Sequence, residues 1–236
     1  MTSTPWQFID SHAHLDFYTP EEKVAVLGAM REARVGAISI GTESCNWQKI
    51  ADIAKENPDV MAGYTVGLHP GHVKENWREE IIALEKSLAA NSPTGIGECG
   101  LDYFRLGETP NARDVVIWQK AAFEAQLSMI KNTQHPIVIH SRGAGAFADI
   151  LQVIEKSGLD WHRFVFHCFS EGAKEIRELN ARGARGSFTG IITFKNGQQM
   201  REALLAQPVE MLMIETDAPF LAPEPHRGKQ NNPSLV

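Results

Sequence analysis

Two histidines one residue apart, in Asp10-Ser11-His12-Ala13-His14, are the first residues in this chain that could do chemistry. They close a short apolar run, and residues i and i+2 of a strand face the same side, so both imidazoles look into one space. An apolar run ending in an ionisable residue then recurs four times. Glu98 closes Thr94-Gly95-Ile96-Gly97-Glu98, His140 closes Ile137-Val138-Ile139-His140, and His167 closes Phe164-Val165-Phe166-His167. Asp217 ends Met211-Leu212-Met213-Ile214-Glu215-Thr216-Asp217. Read singly, each is a half-buried polar residue with its own hydrogen-bond partner, and the His12/His14 pair is two surface histidines at a strand end. Burying all of them without partners would cost several kcal/mol apiece, so a shared ligand is the simpler account. Imidazole nitrogens mixed with carboxylate oxygens suit Zn2+ or Mn2+, and Mg2+ when waters complete its shell. Four histidines and two carboxylates exceed what one catalytic ion needs. The set therefore predicts two divalent ions sharing a carboxylate, about 3.5–4 Å apart as in two-metal hydrolytic sites.

The elements that would carry these residues alternate along the chain. Short β-branched runs predict strands near residues 7–11, 36–41, 60–66, 94–97, 137–139, 164–166, 186–189 and 211–215. Amphipathic segments between them predict helices near 20–34, 46–56, 74–90, 112–131, 143–156, 172–182 and 197–206. Pro20 followed by Glu21 and Glu22 suits a helix start, where anions meet the positive dipole end. Val116, Ala122, Phe123, Leu127 and Ile130 share one helical face. Alternation of this kind implies βαβ units and a parallel sheet. Eight strands predict a TIM-type (β/α)8 barrel, whose active sites lie at the C-terminal ends of the strands. An open dinucleotide-binding sheet would need a glycine-rich loop after the first strand, and Ser11-His12-Ala13-His14-Leu15-Asp16 has no glycine. The whole chain, 1–236, reads as one domain. About twenty residues rich in proline, glycine and asparagine follow the eighth strand, so the last helix is expected to be absent or truncated.

Composition narrows the class further. With 43% hydrophobic and 22% charged residues, the 236-residue chain can bury a core and is not globally disordered. A formal charge of −6 excludes a generic basic nucleic-acid coat. It leaves room for an anionic substrate held through bound cations. Three scattered cysteines, Cys45, Cys99 and Cys168, form no disulfide framework and predict a reduced, cytoplasmic setting. No secretory signal and no membrane-length apolar run is apparent.

The motifs taken together resemble the TatD-family metal-dependent deoxyribonucleases, within the wider metallo-hydrolase barrels. The resemblance rests on Asp10-Ser11-His12-Ala13-His14-Leu15-Asp16, Gly67-Leu68-His69-Pro70, Gly95-Ile96-Gly97-Glu98-Cys99-Gly100-Leu101-Asp102-Tyr103 and Ile139-His140-Ser141-Arg142. It continues through His167-Cys168-Phe169-Ser170, Glu215-Thr216-Asp217-Ala218-Pro219-Phe220-Leu221-Ala222-Pro223 and Arg227-Gly228-Lys229-Gln230-Asn231-Asn232-Pro233. It implies one ion held by His12, His14, Glu98 and Asp217, and a second held by Glu98, His140 and His167, with Glu98 bridging. His69 either lines that site or anchors its loop. Gly71 separates the Gly-x-His-Pro motif from His72, where family members often carry a histidine directly, so no role passes to His72.

Phosphate handling needs permanent positive charge. Arg142, two residues past His140, is placed to clamp a phosphate, and Arg227 and Lys229 occupy the loop after strand eight, where barrels often bind phosphate. The competing reading of all three is ordinary surface charge. Asp102 and Arg105 read as a loop salt bridge. Asp10 and Glu215 have the parity to accept from a ligating imidazole, while Cys99 and Cys168 have the opposite parity and read as packing residues. Tyr103, Phe104, Phe169 and Phe220 stack on bases or pack the rim. These readings predict hydrolysis of phosphodiesters in DNA, from single strands or strand ends, with Asp217, Glu98 and Arg142 as catalytic residues. The alternative is an ester or amide hydrolase such as a D-aminoacyl-tRNA deacylase, which the resemblance also covers.

Overall fold

The computed structural model describes residues 6–104, 106–108 and 111–236. Eight strands are present among the described residues: β1 Phe8–Ala13, β2 Val35–Gly41, β3 Met61–Val66, β4 Gly95–Asp102, β5 Ile137–Arg142, β6 Phe164–Phe166, β7 Arg185–Phe188 and β8 Met213–Ile214. They follow one another in sheet order from β1 to β8. The helices between them are α1 Pro20–Ala33, α2 Ser44–Glu56, α3 Trp77–Ala90, α4 Ala112–Met129, α5 Ala146–Ser157, α6 Ala173–Arg182 and α7 Gln198–Ala206. The fold class is the TIM-type (β/α)8 barrel. No α-helix follows β8 among the described residues, only the 3-10 turn Pro233–Leu235. Nor is any described helix long and apolar enough to cross a membrane.

The chain divides into two compact units, one of Met1–Ile40, Gln48–Tyr64 and Cys168–Val236, the other of Gly41–Trp47 and Thr65–His167. In the first unit, α1 starts as its sequence dictates. Thr19 Oγ1 accepts from the Glu22 amide at 3.2 Å and Glu22 returns a carboxylate to the Thr19 amide at 2.9 Å, with Pro20 in the first turn. Its inner face, Val26, Leu27 and Met30, packs on Leu15 and Tyr18 in a buried core. β1 runs beside the last strand: the Ser11 hydroxyl donates to the Ile214 carbonyl at 2.9 Å, and the amides of Asp217 and His14 donate to the carbonyls of His12 and Ala218 at 3.0 and 2.7 Å. β8 is shorter than the sequence implies because Val209–Met211 forms a 3-10 turn before it, and Asp217 beyond it sits in the left-handed region at φ 55°.

In the second unit, β3, β4, β5 and β6 pair in parallel, with Val66 against Ile96, Ile96 against Ile137 and Ile139 against Phe166. β4 is longer than expected. Its register with β5 shifts between Ile96 and Cys99, so that Glu98 sits in the irregularity. Gly97 and Gly100 make this geometry available at positive φ, 118° and 135°. A Cβ on either would lie 2.4 Å from the Val138 carbonyl oxygen or 2.2 Å from that of His140. From α4, two buried amides seven residues apart grip the loop ends. Gln126 exchanges bonds with the amide and carbonyl of Leu68, and Gln119 with the amide and carbonyl of Asp102 and the carbonyl of Pro70. Leaving such buried backbone groups unmatched would cost about 1–3 kcal/mol each.

Candidate metal centre

In the first unit, His12, His14 and Asp217 come together. Nε2 of His12 and Nε2 of His14 are 3.3 Å apart, and Asp217 Oδ1 lies 3.7 and 3.4 Å from them. One ligand atom from each lies within 4.8 Å of the other two. Both imidazoles are buried. The triad is held from behind by Asp10, whose carboxylate accepts from the amides of His12 and Thr216 at 3.1 and 2.9 Å and from the Thr216 hydroxyl. Sequence parity had Asp10 accept from an imidazole; instead it ties β1 to the segment carrying Asp217. Burial pushes its carboxyl up to about 8, against the opposing pull of these hydrogen bonds. Glu215 accepts from the Cys168 amide and the Ser187 hydroxyl, which ties Cys168 and β7 to the segment after β8.

In the second unit, one oxygen gathers three rings. Glu98 Oε1 lies 2.6 Å from His140 Nδ1, 2.6 Å from His167 Nε2 and 3.4 Å from His69 Nε2. His140 Nδ1 is in turn 3.1 Å from His69 Nε2 and 3.3 Å from His167 Nε2. His69 Nδ1 accepts from the Gly71 amide at 2.9 Å. A neutral imidazole carries one N–H, so this contact puts the His69 proton on Nε2 and makes that atom a donor. Burial holds His69 below the usual histidine range, against the pull of Glu98, which favours that neutral form. The opposite nitrogen of His140, Nε2, faces Asp102 Oδ2 at 3.3 Å. Burial lowers His140, but Asp102 and Glu98 outweigh it and the ring sits above its ordinary value. Burial likewise raises Asp102, and the His140 hydrogen bond outweighs it to leave this carboxyl low.

Both donor sets fit a divalent cation. In each, imidazole nitrogens and a carboxylate oxygen crowd together in buried surroundings, and one carboxylate oxygen facing three rings exceeds what its two lone pairs can match with hydrogen bonds. Asp102 stands behind His140, and a carboxylate so placed fixes an imidazole's tautomer and orientation.

The basic residues lie at the surface. Arg142 ends β5, opposite Asp102 in register, and its guanidinium stacks 4.1 Å above the Phe104 ring. Arg105, the expected partner of Asp102, lies outside the described residues. Arg227 stacks 4.1 Å over Phe194, and Lys229 is exposed two residues on. His72 Nδ1 stands 3.6 Å from Glu43. Cys99 is buried against the Val138 carbonyl, and burial pushes its thiol well up, which leaves it inert. Of the aromatics, Phe169 is buried against Phe188 and the Tyr103 hydroxyl donates to Asp149 at 2.9 Å, so both pack. Phe104 and Phe220 are exposed. The sequence reading missed Asp102 as a partner of His140, together with Gln119, whose signal was a polar residue inside the apolar stripe of α4.

Comparison with known proteins agrees with this geometry. The TatD related DNase family matches residues 9–236. The chain is 30% identical over 234 residues to the uncharacterized metal-dependent hydrolase YcfH of Escherichia coli (strain K12), covering 97% of this chain and 83% of that one. It is 31% identical over 229 residues to the uncharacterized metal-dependent hydrolase YabD of Bacillus subtilis (strain 168), covering 96% and 86%. Among solved structures, YjjV, a TatD homologue from Escherichia coli K12, superposes with a TM-score of 0.83 at 25% identity, covering 96% of this chain and 85% of its own. A match running from the first strand through the last block of motifs leaves one conclusion: the chain belongs to the TatD related DNase family and is a metal-dependent hydrolase.

Proposed function

We propose that this hydrolase cleaves phosphodiester bonds in DNA at single strands or strand ends, with residues 1–236 acting as one catalytic domain and two divalent ions as cofactors. The observation that carries the reading is the pair of donor clusters, His12/His14/Asp217 and Glu98/His140/His167, each a set of imidazole nitrogens around a carboxylate oxygen able to hold one cation. The family's name supports DNA as the substrate. Glu98 shared by both ions, and His167 as a ligand of the second, are implications of the family resemblance.

When bound, such ions neutralise phosphoryl oxygens and make water acidic enough to attack near neutral pH. The remaining work falls to side chains. The Asp217 carboxylate accepts the proton of the attacking water as the new P–O bond forms and the ester P–O bond breaks. His69, its proton fixed on Nε2 by the Gly71 amide, donates to a substrate oxygen. Arg142 neutralises charge that grows on the phosphoryl group, its planar fork matching two oxygens. Arg227 and Lys229 contact the flanking phosphates.

Arg142→Ala is expected to lower kcat/KM on a short single-stranded oligonucleotide by about 10–100-fold, the loss of a charged hydrogen bond worth about 1.5–3 kcal/mol. Metal content should not change. A surface arginine with no such role would move the value by no more than about 0.5 kcal/mol. The same proteins assayed on D-aminoacyl-tRNA separate the two substrate classes. Turnover of that ester with none of DNA overturns the phosphodiester reading.

A further inference from the structure

Two phenylalanines stand beside the first unit's triad, each about half exposed. Phe17 is 47% and Phe220 48% exposed, unusual for large aromatic rings on short, well-tied segments. Each lies three residues past a triad member, and each donates its amide to that member's own carbonyl: Phe17 to His14 at 3.2 Å, Phe220 to Asp217 at 2.9 Å. Both rings are thereby fixed relative to the triad. Phe17 stacks on the His14 imidazole, 5.0 Å between centroids and 15° between planes, and Phe220 meets Phe17 edge-on at 5.9 Å and 79°. The buried Asn231 amide locks the second segment by donating to the carbonyls of Thr216 and Phe220 at 3.1 and 2.7 Å.

We propose that Phe17 and Phe220 form a two-walled stacking platform that holds the nucleobase next to the scissile phosphate, an inference that rests on the phosphodiesterase reading above. Two aromatic walls nearly at right angles offer a flat ring one face-to-face and one edge-to-face contact, the two arrangements aromatic pairs favour. Every base has a π face, so such a platform accepts all four and reads the presence of a base, not its identity. Charge makes this contact matter. At a net −6 the chain's overall field does not attract a polyanion, and stacking supplies affinity that is independent of charge.

The test compares two oligonucleotides differing only at the terminal nucleotide, one carrying 2-aminopurine and the other an abasic tetrahydrofuran, with the metal-loaded enzyme. The wild type should show a KM at least about tenfold lower for the base-bearing strand, and its binding of 2-aminopurine deoxynucleoside monophosphate should quench the fluorescence. In Phe17→Ala and Phe220→Ala the ratio of the two KM values should fall toward one, with the base-bearing KM rising about 5–100-fold. Quenching should be lost and metal content retained. Phe17→Leu, which keeps apolar volume and removes the flat ring, should behave as Phe17→Ala does. A ratio near one in the wild type overturns the platform, as does a Leu variant matching wild type or metal loss in parallel with activity. If the wild type cleaves neither strand yet quenches in a Phe17-dependent way, the phosphodiester reading falls and the platform stands. If it neither cleaves nor quenches, both fall.

Discussion

Glu98→Gln is expected to lower kcat/KM by at least about a thousandfold, a barrier increase of about 4 kcal/mol, while the chain remains folded. Glu98 is 2% exposed in a strand whose register shifts around it, and its Oε1 faces His140, His167 and His69. Glutamine preserves the volume and an acceptor oxygen, so packing and a simple hydrogen-bonding role would survive the change. What disappears is the negative charge that a cation needs. If both ions share this carboxylate, as the family resemblance implies, metal content falls by more than one ion per chain. Activity within about tenfold of wild type, a barrier change of only about 1.4 kcal/mol, with full metal content would remove Glu98 from the centre. Metal analysis beside kcat/KM, with a thermal melt to confirm folding, makes the comparison.

Asp217→Asn should lower kcat by about 100–10,000-fold, the range that general-base catalysis contributes. The substitution is chosen for its backbone. Asp217 sits at φ 55°, a conformation asparagine tolerates and alanine does not, so the amide keeps the turn that positions the residue. Its oxygen still faces His12 and His14, yet it cannot take a proton from water. A kcat within about fivefold of wild type, with metal content unchanged, would give the proton to another group.

The candidate ligands were picked as ionisable residues closing apolar runs; in the structure Glu98 and His140 lie inside β4 and β5, and Asp217 lies three residues past β8. Seven α-helices and eight strands among the described residues were legible because period and punctuation agree along the chain. What the sequence concealed lies where backbone geometry departs from the ideal. β4 was read as 94–97; Gly97 and Gly100 let the strand approach β5 and carry on to Asp102. That extension brings Asp102 to His140 Nε2, a contact invisible to local spacing across 38 residues of chain between positions 102 and 140. Asp10 had the right parity but a different partner, since the Thr216 amide and hydroxyl reach it from the segment after β8. Phe17 carried no signal at all. Its significance comes from a 3-10 turn that lays its ring on His14.

The proposed function requires bound divalent ions for cleavage of a phosphodiester. Protein stripped of metal, verified by elemental analysis, is titrated with Mn2+ against a 5′-labelled single-stranded oligonucleotide. No cleavage is expected without metal, and the rate should rise with added ion and saturate at two equivalents per chain. Undiminished cleavage in excess EDTA, or saturation with ion and no cleavage of the oligonucleotide, would contradict it.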